Sequence, residues 1–159
     1  MNQDSLSKWL KVILIGVGLC GLIVYGVVIP SFGASLVAGY PEFSGRFWPW
    51  LLFLLATSIP CCAALVLGWQ IASSIGQDRT FTAENARRLT LISRLAAGDA
   101  AFFFIGNAVL LLLSMSHPGV FLGALLVVFA GVAVAVAAAC LSHLVQKASA
   151  LQEQSDLTI

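Results

Sequence analysis

From Trp9 to Ile29, and on past Pro30 to about Val37, the chain carries a single charged residue, Lys11, close to its start. About 20 apolar residues at roughly 1.5 Å per residue cross the hydrocarbon layer of a bilayer. In that layer no water meets the backbone, so each N–H and C=O must be paired within the segment, and the segment is predicted to be a helix. The run is longer than the roughly 7–15 apolar residues of a signal peptide and has no convincing small-x-small cleavage site, so it reads as a retained transmembrane helix. Three more apolar runs follow it. Only 9% of residues are charged and 60% are hydrophobic, where a soluble domain has about a quarter of its residues charged. With 159 residues there is room for one bundle and little besides. The expected fold is an all-α membrane protein. It forms a single domain over 1–159, a four-transmembrane-helix bundle with helices at about 9–37, 47–75, 82–115 and 118–154. A short amphipathic segment precedes the third helix.

Prolines and aromatics punctuate these runs. Pro30 is expected to kink the outer end of the first helix and Pro60 to bend the second. Residues 39–46 form a turn-rich loop, followed by an aromatic belt of Phe47, Trp48 and Trp50. Trp48 and Trp69 are 21 residues apart, so each is placed near one interface of a layer about 30 Å thick. Ser116-His117-Pro118-Gly119 reads as a tight hairpin, with Ser116 or His117 as N-cap and Pro118 in the first turn of the last helix. So short a connection makes helices three and four antiparallel neighbours. Gly131, Ala135 and Ala139 form a ridge of small residues that suits close approach of another helix, within the chain or in a homo-oligomer. Leu144, Ala148 and Leu151 form a stripe at the end of the last helix. Its simplest role is to pack on the inner loop, and its alternative role is to dock in a partner's groove.

The longest polar interruption, residues 76–95, holds Arg79, Arg87, Arg88 and Arg94, four of the eight basic residues. Placing it and both termini on one side puts Lys8, Lys11, Lys147 and these four arginines there, against Arg46 alone on the other. Cationic loops stay in the cytoplasm, so both termini are predicted to be cytoplasmic. Thr82 is a good N-cap, with Asn85 at the position of a reciprocal capping partner and Phe81 and Ala86 at the staple positions. Glu84 complements the helix dipole, and Arg87 and Arg88 reach the headgroup layer. The plain reading is a capped juxtamembrane helix. The functional reading is a docking surface made by Phe81, Thr82, Glu84, Asn85, Arg87 and Arg88.

The same residues carry a family resemblance. Gly76-Gln77-Asp78-Arg79-Thr80-Phe81-Thr82-Ala83-Glu84-Asn85-Ala86, followed by Arg88-Leu89 and Ile92, resembles the signature of the bacterial four-helix membrane family catalogued as domain of unknown function 2975. The resemblance covers nearly the whole chain and implies a multi-pass protein of the bacterial plasma membrane. It implies, as partner, a small helix-turn-helix regulator, because members are often encoded beside one. It carries no catalytic residues.

Within the spans, Asp99 stands out. An intramembrane carboxylate costs roughly 2.5–3.5 kcal/mol on insertion scales, so it should face the bundle and find a partner. Depth counting predicts a polar cluster of Gln70, Asp99 and His143, with Arg94 snorkelling above it, and Asn107 deeper, level with Tyr25. The cluster is either an interhelical hydrogen bond or a proton- or ligand-responsive switch. Cys20, Cys61, Cys62 and Cys140 all lie in apolar runs without the spacing of a zinc site or a redox pair, and read as small packing residues. His117 in the outer hairpin reads as a cap and not a metal ligand, since the outer side offers only Glu42 as a partner.

Neither a nucleophile–base pair nor a thiol oxidase constellation is present, so an enzyme is not expected. No cofactor is implied. A net charge of +1 leaves no basic face for direct nucleic-acid binding. The lipid bilayer is the first partner. The leading function is a regulatory or scaffolding protein that holds a cytoplasmic DNA-binding regulator against its inner face. The alternative is a small transporter, channel subunit or immunity-type protein that uses Asp99 and Asn107. Against it, one carboxylate in four spans is sparse, and no broken-helix pair marks a midplane substrate site in the sequence.

Overall fold

In a computed structural model, which describes residues 3–116 and 118–157 apart from the side chains of Phe43 and Asp156, every long apolar run is helical. The first span consists of α1 (Gln3–Ile23), a π-helical turn (Val24–Val28) and α2 (Ile29–Gly39). A 3-10 turn (Pro41–Arg46) leads into the second span, α3 (Phe47–Ala56) and α4 (Ser58–Ile75). The third span is α5 (Ala83–Leu112) and the fourth α6 (Pro118–Leu157). The four helical spans are each long and apolar enough to cross a membrane. The N-cap expected at His117 lies outside the described residues.

Both mid-span irregularities follow from proline chemistry. Pro30 has no N–H for the carbonyl four residues earlier, and its ring crowds that carbonyl. The helix responds upstream of Pro30 by widening, with the Ile29 N–H bonded to the Val24 carbonyl five residues back. Pro60 similarly strips Ala56 of its helical donor, and the bend expected at Pro60 falls at Thr57. There the chain tightens, and the Thr57 N–H and hydroxyl both donate to the Leu54 carbonyl, at 3.2 and 2.7 Å.

Spans pack in chain order, α1 on α4, α4 on α5, and α5 on α6. The α5–α6 contact is the most extensive. Ala86, Leu89, Ala100 and Asn107 are buried on α5, and Ala124, Ala135, Ser142, Val145 and Ser149 on α6. These positions recur at alternating steps of three and four and their sums, the 3.5-residue repeat of a left-handed helix pair. Gly131 lies so close to α5 that a Cβ there would sit 3.1 Å from the Ala100 Cβ. The ridge expected at 131, 135 and 139 is therefore used within the chain, but it turns away before Ala139, which is exposed. A straight step of four drifts off a 3.5-residue seam, and Ser142 continues the seam instead.

Aromatic wedges set the distance between the other spans. The Phe53 ring lies over Gly106, where a Cβ would come within 2.0 Å of it. It stacks on Phe103 at 5.9 Å and meets Phe102 at 5.3 Å. Near the turn at residues 40–46, Phe47 and Trp50 fill the space that a Gly33 side chain would take. Arg46 Nη1 donates to the Ser114 carbonyl at 3.0 Å and joins the two connections at this hairpin end. The opposite, tail end gathers Gln3, residues 76–82 and the last turns of α6. At 40 residues, α6 is about 60 Å long, roughly twice the hydrocarbon thickness, so its last turns project beyond the bilayer.

Candidate functional site

The tail-end connection is organised by one amide. Thr82, extended at φ −123° and ψ 149°, caps α5 by accepting the Asn85 N–H at 3.2 Å. Asn85 does not return the favour to Thr82. Its side chain, only 1% exposed, turns into the loop. Its Nδ2 lies 2.9 Å from the Arg79 carbonyl and 3.1 Å from both the Thr80 carbonyl and Ser74 Oγ. Two N–H groups are thus shared among three acceptors. Its Oδ1 accepts from Arg88 Nη1 at 3.0 Å, and Arg88 also pairs with Glu84 one turn back. Ser74 Oγ closes the ring by donating to the Arg79 carbonyl at 2.8 Å. Asp78 makes the turn in the left-handed region, at φ 57°, which Asp tolerates better than most residues. The first span is tied to the same end, because Ser7 Oγ donates to the Ala72 carbonyl at 2.7 Å and Thr80 Oγ1 to Gln3 Oε1 at 3.1 Å.

Around this fixed loop the surface divides into separate clefts. Phe81 and Thr82 face Ser149, Gln152 and Glu153 of α6 across one of them. Thr82, Glu84 and Arg88 line a second, together with Trp69 and Gln70. Arg87 and Arg94 line a third, between α5 and α6. Phe81 is 52% exposed.

At mid-span, three helices bring polar groups together beside the two irregular turns. Tyr25, in the π-helical turn, lies with its hydroxyl 2.8 Å from Thr57 Oγ1. Thr57 spends its own proton on Leu54, so Tyr25 donates. One turn on, Cys61 Sγ donates to Asp99 Oδ2 at 3.8 Å, a weak thiol hydrogen bond. Asp99 Oδ1 is buried and has no hydrogen-bond partner among the described residues. Tyr25, Cys61 and Asp99 are in electrostatic reach of one another. A carboxylate held by one thiol is poorly compensated for leaving water, so this is the least satisfied buried polar position among the described residues.

The family model described as Protein of unknown function (DUF2975) matches residues 31–159, which include the Asn85 loop, Cys61 and Asp99. The chain belongs to the DUF2975 family. It is also similar to the "Uncharacterized membrane protein YoaS" of Bacillus subtilis (strain 168), at 26% identity over 161 residues that cover 100% of both chains. No solved structure matches it.

In this DUF2975 chain the expected site residues are dispersed more than their spacing suggests. The cluster of Gln70, Asp99 and His143 does not form. Gln70 and His143 are exposed, and Asp99 meets Cys61 instead. The depths expected from counting differ from those observed: Gln70 lies nine residues beyond Cys61 on α4, and His143 lies beside Ser142, level with Thr90 on α5, so each is about 13 Å along the axis from Asp99. Asn107 is buried, but its amide bonds the Phe103 carbonyl of its own helix at 2.8 Å, and Tyr25 lies with Asp99 rather than with it. Cys61, read as a packing residue, is the carboxylate's donor. Its position four residues after Thr57, on the same helical face, was the available signal. The irregularities expected near Pro30 and Pro60 are present on two adjacent spans, at Val24–Val28 and Thr57, and they lie beside Asp99. Of the docking set, Asn85 is a buried structural residue and Arg88 is held by Glu84 and Asn85, so neither is free surface. Glu84 and Arg88, one turn apart, share a cleft, whereas Arg87, about 100° from Arg88 around α5, lines the groove toward α6. The tail stripe does not pack on the loop. Leu144 and Leu151 are 63% and 67% exposed, while Val145 and Ser149 take the packed face.

Proposed function

We propose that this membrane protein is a non-enzymatic regulatory or scaffolding subunit of a bacterial plasma membrane, with both termini cytoplasmic, that docks a cytoplasmic protein at its tail end. The observation that supports this most is a pair of large apolar side chains left open beyond the bilayer. Phe81 stands on the loop that Asn85 holds rigid, and Leu151 stands on the projecting end of α6. Groups outside the lipid gain nothing from exposed hydrocarbon, and a preorganised rim lowers the entropy lost on association. A helix-turn-helix DNA-binding regulator is the partner that the family resemblance favours. The protein itself contacts no nucleic acid. The test is affinity purification of the tagged chain from its native membrane beside a Phe81→Asp/Leu151→Asp variant. Recovery of a DNA-binding protein by the native chain and its loss from the variant is the expected result. If the same regulator is retained by both, or none is retained by either, docking at this end is refuted.

A second reading, a small transporter or channel subunit, draws support from the unpaired Asp99 Oδ1 beside two locally irregular helices. Irregular backbone at membrane depth is tolerated where it lines a site. On this reading Asp99→Asn abolishes ion or solute flux in proteoliposomes and leaves partner capture intact. Asn107, bonded within its own helix, drops out of the path.

A further inference from the structure

Arg87 and Arg94 lie two turns apart on α5, about 10 Å along its axis, and both line the groove between α5 and α6 at the tail end. The groove encloses about 360 Å³ and is otherwise lined by small, apolar and uncharged residues, among them Leu91, Thr90, Ser142 and Gln146. No carboxylate lines it, and among the described residues the ion pair belongs to Arg88 and Glu84, not to these two arginines. Two guanidinium groups therefore face one cleft without a counter-charge from the protein.

The cleft also opens in the direction of the hydrocarbon. Following the same face of α5 downward from Arg94 leads to Gly98 and Ala101, both exposed. A Cβ at Gly98 would meet nothing within 4 Å. On α6 the exposed Ala139 lies beside the seam, where the ridge of small residues turns away. A strip of small residues thus runs from the arginines into the span. A soluble anion would use the arginines and leave this strip to chance, whereas an acyl chain would lie in it.

We infer that this groove is a binding site for an anionic phospholipid, with the headgroup phosphate held by Arg87 and Arg94 and an acyl chain laid over Gly98, Ala101 and Ala139. Basic pockets between transmembrane helices suit phosphate-bearing headgroups, and the planar guanidinium pairs phosphate oxygens bidentately. The Thr90 and Ser142 hydroxyls contribute little to the headgroup. They lie 2.7 Å from each other and bond the Ala86 carbonyl at 3.1 and 2.7 Å, so their protons are taken. Charge and the guanidinium fork carry the affinity. The site is independent of the Phe81–Leu151 rim, so either can fail without the other.

The experiment is native mass spectrometry of the full chain, released from nanodiscs of phosphatidylcholine containing a minority of phosphatidylglycerol or cardiolipin. The native chain is expected to retain one anionic lipid with a preference of about tenfold or more over phosphatidylcholine. Arg87→Gln/Arg94→Gln should lose that preference, Arg87→Lys/Arg94→Lys should keep part of it, and Lys8→Gln, an exposed cation on α1, should keep all of it. Equal thermal unfolding of all four in lipid-free detergent separates lost binding from lost folding. A second arm adds millimolar inorganic phosphate. Retention of the lipid supports the lipid site, whereas displacement at that concentration assigns the groove to a soluble phosphate and overturns it. Undiminished preference in the double Gln variant, or equal loss in Lys8→Gln, also overturns it.

Discussion

The α5–α6 pair and the first span are both apolar helices of similar length, yet they are held in opposite ways. Between α5 and α6 the backbones approach across Ala86, Ala100, Gly131 and Ala135. Hydroxyls then bond carbonyls across the gap, with Ser93 Oγ on the Ala135 carbonyl at 2.7 Å and Ser142 Oγ on the Ala86 carbonyl at 2.7 Å. The first span is held at separate points, by the Ser7–Ala72 and Tyr25–Thr57 bonds and by Gly33 against Phe47 and Trp50, and not along a continuous seam. In α1 only Ser7 is buried, and Gly16 and Gly21 face open space. Lipid is as apolar as leucine, so bare hydrophobicity binds neither pair of helices in a bilayer. Close packing and interhelical hydrogen bonds do, and the α5–α6 pair has both.

The sharpest way to break the comparison is at the tail end, where both parts meet. Asn85→Ala strips partners from Ser74, Arg79, Thr80 and Arg88 at once. It is expected to cost about 3 kcal/mol, because buried polar groups left unpaired cost roughly 1–3 kcal/mol each and some here can reach water. Thermal unfolding in detergent reads the loss, and hydrogen exchange should show residues 76–82 opening first. Asn85→Asp, which keeps the shape but cannot donate to the carbonyls, should be nearly as damaging. Partial rescue by it would mean the loop rests on packing.

Overpacking comes next. Gly106→Leu or Gly131→Leu must displace Phe53 or Ala100, with an expected loss of about 1–3 kcal/mol. Gly16→Leu and Gly21→Leu on the first span should leave the unfolding curve within about 0.5 kcal/mol of the parent. If all four variants behave alike, the difference between seam and open face is not energetic. A smaller effect is expected at Ser142→Ala, about 0.6–1.7 kcal/mol, the range of interhelical hydrogen bonds in membranes.

The smallest expected effect on global stability is local to the first span. Ser7→Val removes the donor to the Ala72 carbonyl and crowds Gly76, which a Cβ would bring within 2.8 Å of Ser7 Oγ. It should detach the tail end of α1 without unfolding α5 and α6. Faster hydrogen exchange of residues 3–12, with unchanged protection of the α5–α6 seam, is the outcome that upholds the comparison.

Much of the architecture could be read from residue types alone. Length and apolarity place the four spans because an unpaired backbone cannot stay in hydrocarbon. Thr82 announces the start of α5, since a side-chain oxygen there meets a free N–H. Pro30 and Pro60 announce mid-span trouble because a missing donor has to show somewhere. None of this required knowing which helix touches which.

Rotation about each helix axis and the axial register between helices were the missing quantities. In a soluble helix the apolar stripe marks the buried face, but in these spans every face is apolar, and the stripe Leu144–Ala148–Leu151 pointed the wrong way for that reason. Small and hydroxyl residues on the 3.5-residue repeat mark the packed face instead, which is why Ser142 lies in the seam and Ala139, a straight step of four from Ala135, lies outside it. The partners of Asn85 and Asp99 depend on the same rotation and on how residues 76–82 fold back. Chemical type and the approximate extent of each span were thus determined by the sequence itself. Whether Asp99 met His143 or Cys61, and whether Asn85 faced solvent or the loop, was decided only when the helices packed, because axial register and azimuth are properties of neighbours and not of a chain read in one dimension.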